Sequence, residues 1–240
     1  MDFIEPNIDP ERLYERLNFP DPPEDRPYIF INMVASVDGK TLLTDRGTTA
    51  KGLGSQTDQI LMRRLQRNAD AALIGSETLR IDPKLHYPEG VLRVTMTASG
   101  DLPLHTRFFT DEPGQAIVFA PRSVDKEKAA AIRKTARLHL CGDNKLDVCQ
   151  MVSILRSQYE VKHLLCEGGS TVNGSLLAAK VVDELFLTIA PKISGGTDRP
   201  TVVSGTGLAP KNIPLLNILS IYEDNNELYF RYCITGYQEG

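Results

Sequence analysis

The sequence has no tryptophan and no excess of positive charge. Its 240 residues include 27 Lys and Arg against 31 Asp and Glu, which gives a formal net charge of -4 and a pI near 5.6. Proteins that bind the nucleic-acid backbone carry a basic surface, so this balance argues against a nucleic-acid partner. Apolar runs such as residues 185–190 are far shorter than the roughly 20 residues that span a bilayer, so no membrane partner is expected. Hydrophobic residues make up 41% of the chain, enough to build a buried core.

Cysteine and histidine are too few and too scattered to predict a metal site. No Cys-x-x-Cys pair occurs, and the His-x-Glu and Pro-Cys-x-x-Cys signature of zinc deaminases is absent. The first residues lack a cationic and apolar leader, so we expect a cytoplasmic protein whose cysteines are small buried hydrophobes. Any chemistry then comes from an organic cofactor or from side chains alone. The residues concerned are Cys141, Cys149, Cys166 and Cys233, with His86, His105, His139 and His163.

Proline sets the N-terminal segment apart from the rest of the chain. Six prolines lie within the first 27 residues, so residues 1–26 are predicted to be an arm with at most one short helix, near 11–17. We assign residues 27–240 to a single domain, since no further boundary, repeat or low-complexity tract follows. Within it, residues 41–55 are rich in Thr, Gly and Ser, which predicts a long loop of the kind that covers a ligand.

Strands and helices alternate through most of the domain. Apolar runs predict strands at 28–34, 71–74, 92–97, 116–120, 137–140 and 163–166, and amphipathic periodicity predicts helices at 56–68, 124–133, 146–157 and near 172–179. This alternation is typical of an α/β fold with a mostly parallel sheet covered by helices. A strand at 182–190 and a hairpin of 218–223 with 228–235 add antiparallel strands at the C-terminal end, so the sheet is predicted to be mixed.

Glycines directly follow two of the predicted strands. Gly168 and Gly169 join the strand at 163–166 to a helix, and Gly75 has the same place after 71–74. Glycine lets a backbone approach a phosphate, and a helix N-terminus offers it free N–H groups, so the pattern indicates a nucleotide site at the carboxyl ends of the strands. An ordinary strand-to-helix turn explains a lone Gly-Gly equally well, and no Gly-x-Gly-x-x-Gly occurs. Asp38 and Asp82 are the acids nearest these strand ends, although loop aspartates often only form turns.

Five short motifs occur in order along the chain. They are NMVASVDGK at 32–40, DAALIGSET at 70–78, EGG at 167–169, VDEL at 182–185 and APKISGG at 190–196. Together they resemble the pyrimidine reductases of riboflavin biosynthesis, and the match covers about residues 27–236. Five motifs in sequence are far more specific than any single glycine pair.

The resemblance implies a fold like that of dihydrofolate reductase and a homodimer. It also implies that NADPH reduces the ribosyl group of 5-amino-6-(5-phosphoribosylamino)uracil, or of its non-deaminated precursor, to a ribityl chain. No deaminase domain is recognised, so we expect a stand-alone reductase. Two alternatives stay open: a paralogous NADPH-dependent reductase that acts on a pterin, a folate or another carbonyl or imine substrate, and a non-catalytic nucleotide-binding protein.

The resemblance also implies roles for individual residues. Hydride transfer asks the protein mainly to hold the two reacting carbons together and to supply a proton, for which Asp82 or Lys40 is our prediction. The remaining residues around the nicotinamide and substrate would be Asn32, Ser36, Asp38 and Glu167. Those that would hold NADPH are Gly75, Ser76, Thr78, Gly168, Gly169, Ser170 and Thr171, with Thr97 and Ser99 near the adenosine 2′-phosphate.

One segment departs from the pattern of that family. After Thr78 the chain reads LRIDPKLHYP, which is one residue shorter before the proline and lacks the arginine that helps to hold the substrate phosphate. A phosphate needs a cation more than a particular position, so Arg80, Lys84 or the cluster of Arg63, Arg64 and Arg67 would take its place. A solvated basic helix face explains that cluster equally well.

Overall fold

The computed structural model describes residues 12–44, 50, 52–112 and 114–239, and within these ranges nine strands form one sheet. The strands are β1 (Tyr28–Ser36), β2 (Ala71–Gly75), β3 (Leu92–Met96), β4 (Ala116–Ala120), β5 (Arg137–Leu140), β6 (His163–Cys166), β7 (Glu184–Ala190), β8 (Pro214–Asp224) and β9 (Glu227–Tyr237). The helices are α1 (Gln56–Arg67), α2 (Ser76–Ile81), α3 (Arg107–Thr110), α4 (Lys126–Arg133), α5 (Val148–Tyr159) and α6 (Ser170–Ala178). Over the described ranges every helix is too short or too polar to traverse a bilayer.

The order of the strands confirms the predicted mixed sheet. It runs β5-β4-β3-β2-β6-β1-β7-β9-β8, with parallel pairing from β5 to β7 and antiparallel pairing from β7 to β9 and β8. Parallel strands are covered on both faces, which is why β4, with the sequence AIVFA, is buried at every position. The two C-terminal strands are longer than predicted and are joined by a two-residue turn, Asn225-Asn226, with both residues at positive φ, as such hairpins require.

The described part of the N-terminal arm packs against the sheet but does not form the predicted helix. Its residues from Arg12 to Leu17 adopt turns, and Tyr14 has a φ of 59°; Glu11 lies outside the described residues. The reason is that α1 takes up the arm's backbone groups: the Leu17 N–H donates to Asn68 Oδ1 at 3.2 Å, and Arg64 donates to the Leu13 carbonyl at 2.7 Å. Buried side chains of the arm then join a core cluster on that face of the sheet.

Helix starts differ from the prediction by one or two residues where an acid caps the first turn. The predicted helix at 146–157 runs from Val148 to Tyr159, since the Asp147 side chain accepts the Gln150 N–H at 3.0 Å. Asp125 caps α4 in the same way. The four-residue α3 was not predicted; Phe108 and Phe109 bury its apolar side in a satellite core.

Candidate active site

A cavity of about 890 Å³ opens at the carboxyl edge of the parallel strands. The C-terminal ends of parallel strands share one edge of a sheet, so the residues that follow them converge there. The cavity wall includes the ends of β2 and β3, the segment after β6, the middle of β1 and the loop between β5 and α5. The described residues contain no group of His, Cys, Asp or Glu side chains arranged to hold a metal ion.

The turn from β6 to α6 forms one wall of this cavity. The Gly75 N–H donates to the Gly168 carbonyl at 2.8 Å, which ties the ends of β2 and β6 together, and the Gly168–Gly169 peptide is cis. Gly168 has a φ of +82°, and a Cβ there would lie 2.8 Å from the Met33 sulfur, so this position is restricted to glycine. A Cβ on Gly169 would meet nothing within 4 Å, and Gly169 lines the cavity. Gly168 therefore shapes the turn, while Gly169 leaves the space beside it open.

Two helices begin at this wall without a side-chain cap. Gly169 precedes α6 and Gly75 precedes α2, and neither can supply the oxygen that usually binds the first N–H groups of a helix. Free N–H groups and the positive end of the helix dipole favour an anion. Both glycines line the cavity, as do Ser76, Thr78, Thr97, Ser170 and Thr171.

Two predicted cofactor residues lie outside the cavity lining. Gly168 shapes the turn behind Gly169 and packs against Met33, but does not itself line the cavity. Ser99 accepts the Asp101 N–H at 3.2 Å and so stabilises the turn after β3. Thr97 both lines the cavity and accepts the Gly100 N–H at 3.0 Å.

Of the residues predicted around the substrate, three line the cavity and three do not. Asn32, Asp82 and Glu167 belong to the lining. Ser36, Asp38 and Lys40 form a turn in which the Ser36 hydroxyl donates to Asp38 at 2.6 Å and the Lys40 N–H donates to the Ser36 hydroxyl at 3.0 Å. This turn lies beyond the part of β1 that lines the cavity.

Asp38 is tied to a second segment through its carboxylate. The backbone N–H groups of Ser194 and Gly195 donate to it at 2.9 and 2.7 Å. These bonds, led by that from Ser194 and joined by that from Ser36, hold the pKa of Asp38 well below its usual range. Lys40 continues the link between the two segments through a bridge to Thr201. The observed contacts of this turn are with the segment after β7.

Glu167 is the cavity carboxyl at the end of β6. The Gln66 amide donates to it at 2.8 Å from α1. Burial raises the pKa of Glu167, because the charged form loses its hydration, and the neighbouring Tyr87, Gln66 and Arg63 oppose that shift only in part. Asp82 follows α2 and accepts the Lys84 N–H at 3.1 Å. Glu167 is thus a cavity carboxyl that retains a proton more readily than usual, and Asp82 is held at the end of a helix.

Among the cavity residues that sequence reasoning missed, two carry a charge that matters below, Asp58 and Lys145. Asp58 lies in the first turn of α1, and Lys145 in the loop between β5 and α5. A signal for Asp58 does exist: it shares one helix face with Leu61, Met62 and Leu65, and an acid on the apolar face of a helix is unusual. Lys145 has no such signal, since only the folding of its loop brings it to the cavity.

The cations that were to replace the missing arginine are now located. Arg80 lines the cavity and donates to the Asp101 carbonyl at 2.9 Å, whereas Lys84 is outside the lining. Arg64 contacts the arm, and neither Arg63 nor Arg67 lines the cavity. Arg80 and Lys145 are therefore the cationic side chains of the described cavity wall.

Comparison with known proteins identifies the family. Residues 27–230 match the model of the RibD C-terminal domain. The chain belongs to that family. A reductase of Methanothermobacter thermautotrophicus, named 2,5-diamino-6-ribosylamino-4(3H)-pyrimidinone 5′-phosphate reductase, is 30% identical over 88% of this chain and 100% of its own length. A relative of the same name from Aquifex aeolicus is 29% identical over 85% of this chain and 95% of its own.

Solved structures agree on the fold. A pyrimidine reductase-like protein from Corynebacterium diphtheriae has a TM-score of 0.71 at 19% identity, covering 88% of this chain and 92% of its own. RibD of Acinetobacter baumannii has a TM-score of 0.70 at 19% identity, and the match covers 88% of this chain but 59% of that one. The predicted family and the predicted fold are both confirmed, and the curated relatives are reductases of riboflavin biosynthesis.

Proposed function

We propose that this protein uses NADPH to reduce the ribosyl group of 2,5-diamino-6-ribosylamino-4(3H)-pyrimidinone 5′-phosphate to a ribityl chain. The observation that carries the proposal is a cavity whose lining brings together an open glycine wall, two uncapped helix starts and the carboxyl groups of Glu167 and Asp82. Relatives that match along 95% to 100% of their length and carry this substrate in their name support the choice of substrate.

The wall beside Gly169 fits the phosphates of a dinucleotide. An added Cβ would occupy open cavity space there, so the absence of a side chain leaves room for a ligand. The Ser170 and Thr171 side chains line the same place, and the free N–H groups of α6 suit an anion. Gly75, Ser76 and Thr78 would support the adjoining part of the cofactor.

The length of the cavity suits a dinucleotide with a substrate beside it. Three spacings of about 4.8 Å separate β3 from β1 in the sheet, or roughly 14 Å, and the loop after β5 extends the wall further. We place the adenosine near Thr97 and Lys145, where the ammonium suits a 2′-phosphate, and the nicotinamide and pyrimidine toward Asn32.

The chemistry asks for a hydride and a proton. When bound, the nicotinamide supplies a hydride to C1′ of the ribosyl group, while the ring oxygen leaves C1′ and needs a proton to become a hydroxyl. Glu167, with its raised pKa, is our candidate for holding that proton, and Asp82 is the second. The Lys40 side chain is outside the described lining, so we give it no proton-transfer step.

Two further properties belong to the proposal. All four cysteines are free thiols, which suits the reducing cytoplasm. We also propose a homodimer, because the edge strand β8 and the residue before it expose large apolar side chains to solvent: Ile213, Leu215, Leu216, Ile218 and Leu219.

The test is NADPH oxidation, followed by the loss of near-ultraviolet absorbance, with the diaminopyrimidinone phosphate and its deaminated uracil counterpart offered separately. Turnover of the diaminopyrimidinone would support the proposal. Turnover of the uracil alone would mean that this reduction follows the deamination instead of preceding it. Binding of NADPH without turnover of either compound would instead favour a paralogous reductase, and no NADPH binding would overturn the proposed function altogether.

A further inference from the structure

Asp58 is a carboxylate on the cavity wall that no cation neutralises within the described residues. It lies in the first turn of α1, and none of the ion pairs of the described chain includes it. Within the described residues its side-chain hydrogen-bond partner is the Thr188 hydroxyl on β7, and the charge that acts on it is another carboxylate, that of Glu227. Burial, with a smaller contribution from Glu227, raises the pKa of Asp58 to about 6. The ionised form of this acid therefore lowers the stability of the fold.

Neither helix capping nor contact with β9 explains why an acid is found at this position. The Ser55 hydroxyl caps α1 by accepting the Asp58 N–H at 3.2 Å, so the Asp58 carboxylate is not the cap. Glu227 on β9 is already bound by the Ser55 N–H at 3.1 Å, by the Ser55 hydroxyl and by the Tyr229 hydroxyl at 2.5 Å. The carboxylate of Asp58 is thus left to face a ligand.

The carboxylate is also held firmly in place. A Cβ on Gly54 would lie 2.3 Å from its Oδ2 atom, so the backbone of the preceding loop packs closely against it. With Thr188 on one side and Gly54 on another, the group has little freedom to turn toward bulk solvent. A fixed acceptor of this kind favours a ligand that presents N–H donors, and two parallel donors suit a carboxylate best.

The diaminopyrimidinone and its deaminated uracil counterpart differ at the ring edge that such a carboxylate would contact. In the diaminopyrimidinone, the 2-amino group and the ring N3–H are adjacent and both donate. In the deaminated uracil, a carbonyl oxygen replaces the 2-amino group, so a carboxylate would face one donor and one repelling acceptor. A buried polar group left unpaired in this way discriminates strongly between substrates.

We infer that Asp58 accepts hydrogen bonds from the 2-amino group and N3–H of the pyrimidine, and thereby selects the non-deaminated substrate. The inference deepens the proposed function and rests on it. It makes Asp58 a specificity residue, and the proton needed at the ribose oxygen is assigned elsewhere.

The variant Asp58→Asn tests this inference because an amide, with one acceptor and one donor, matches the N3–H and the carbonyl of the uracil. Its oxygen accepts from N3–H and its NH₂ donates to the uracil carbonyl, so the ratio of kcat/KM for the diaminopyrimidinone over the uracil should fall by about 10- to 100-fold. Glu77→Gln is the control: Glu77 also lines the cavity, on α2, and its loss should leave that ratio unchanged. Asp58→Ser should weaken the diaminopyrimidinone and reduce the preference without reversing it, because it removes the carboxylate and adds no group matched to the uracil edge.

A binding measurement separates the inference from the proposed function. The free bases of the two substrates, a triaminopyrimidinone and a diaminouracil, are titrated into cofactor-free protein and followed by NMR. We expect the wild type to prefer the first base and Asp58→Asn to lose that preference. Normal reductase turnover with an unchanged ratio in Asp58→Asn would overturn the inference alone. No turnover of either substrate by the wild type would overturn the proposed function. The base titration would still show whether Asp58 determines the preference between the two pyrimidines.

Discussion

At the scale of single residues, the cavity contains acids whose protonation differs from that of free side chains. Glu167 is the acid to which we assign the proton of the proposed reaction, because burial raises its pKa and the protonated form is then available as an acid. The activity should be highest below that raised pKa and fall as the pH rises through it. Glu167→Gln should lower kcat by about 100-fold or more and remove this alkaline decline.

The pH–rate profile of kcat checks that prediction, with Glu167→Asp as the conservative control that should restore part of the decline. If Glu167→Gln keeps the wild-type profile, the role of proton donor passes to Asp82, our second candidate. The Asp82→Asn variant should then have the lower kcat.

Asp58 makes a prediction for stability that is independent of catalysis. Its pKa is about 6 in the folded protein, above the ordinary value of 3.8, so the folded state binds the proton more tightly, and stability falls as the pH rises from 3.8 to about 6. Asp58→Asn removes that loss and should raise the Tm at neutral pH by about 2–4 °C, with a smaller gain in acid. Thermal unfolding at both pH values measures this. A lower Tm in the variant would mean that the Thr188 contact stabilises the fold more than the charge destabilises it.

At the scale of elements, sequence patterns predicted what local burial determines. Parallel strands appear as apolar runs, so β4 and β6 were predicted residue by residue, and their order along the chain located the cavity edge. What tertiary contacts decide was missed: α3 is four residues long, and the arm turns because Asn68 at the end of α1 binds its backbone. For the same reason the motif at Ser36–Lys40 gave no sign that its turn would pack on the segment after β7.

The start of α6 allows a direct test of cofactor binding. Gly169→Val adds a side chain that meets no protein atom near its Cβ but enters the cavity, so NADPH affinity should fall about tenfold or more, equivalent to about 1.4 kcal/mol, while the fold is retained. Gly168→Val should destabilise the fold as well, because of its positive φ and Met33. Fluorescence titration of NADPH measures the effect. Gly236→Val is the matched control, since that glycine in β9 also has open space; equal affinities in both variants would remove Gly169 from the phosphate site.

In the proposed function, the loop between β5 and α5 would supply a cation for the 2′-phosphate end of the cofactor. Gly142, at a φ of +74°, lets the loop curl so tightly that a Cβ there would lie 2.2 Å from the Lys145 carbonyl, and Asn144 and Lys145 then line the cavity. Lys145→Met should weaken NADPH about tenfold and leave NADH unchanged, because only NADPH carries the 2′-phosphate. Arg80→Met is the comparison, and if it alone changes the preference, the 2′-phosphate site is on α2 instead.

At the scale of the whole molecule, the edge of the sheet formed by β8 is apolar and exposed. β8 ends the sheet, and from Ile213 to Tyr222 the chain carries no charge, although charged residues commonly protect exposed edges. The register with β9 shifts after Leu215 and after Ile218, and large apolar side chains of β8 face solvent: Leu215 is 50% and Leu219 49% exposed. A second copy of the chain would cover this surface most simply, since it presents the same apolar strand in a symmetric pair.

Light scattering at micromolar concentration tests that arrangement. The wild type should have the mass of a dimer, and Leu216→Glu with Leu219→Glu should have that of a monomer, because two carboxylates cannot be buried against their own copies without a cation. Ile193→Glu serves as the control: it adds one charge at an apolar residue that is 81% exposed outside β8, so its mass should not change. The cavity is lined by β1, β2 and β3 and not by β8, so the monomeric variant should still bind NADPH. A wild type that is monomeric, or a double variant that remains dimeric, would exclude β8 as the interface.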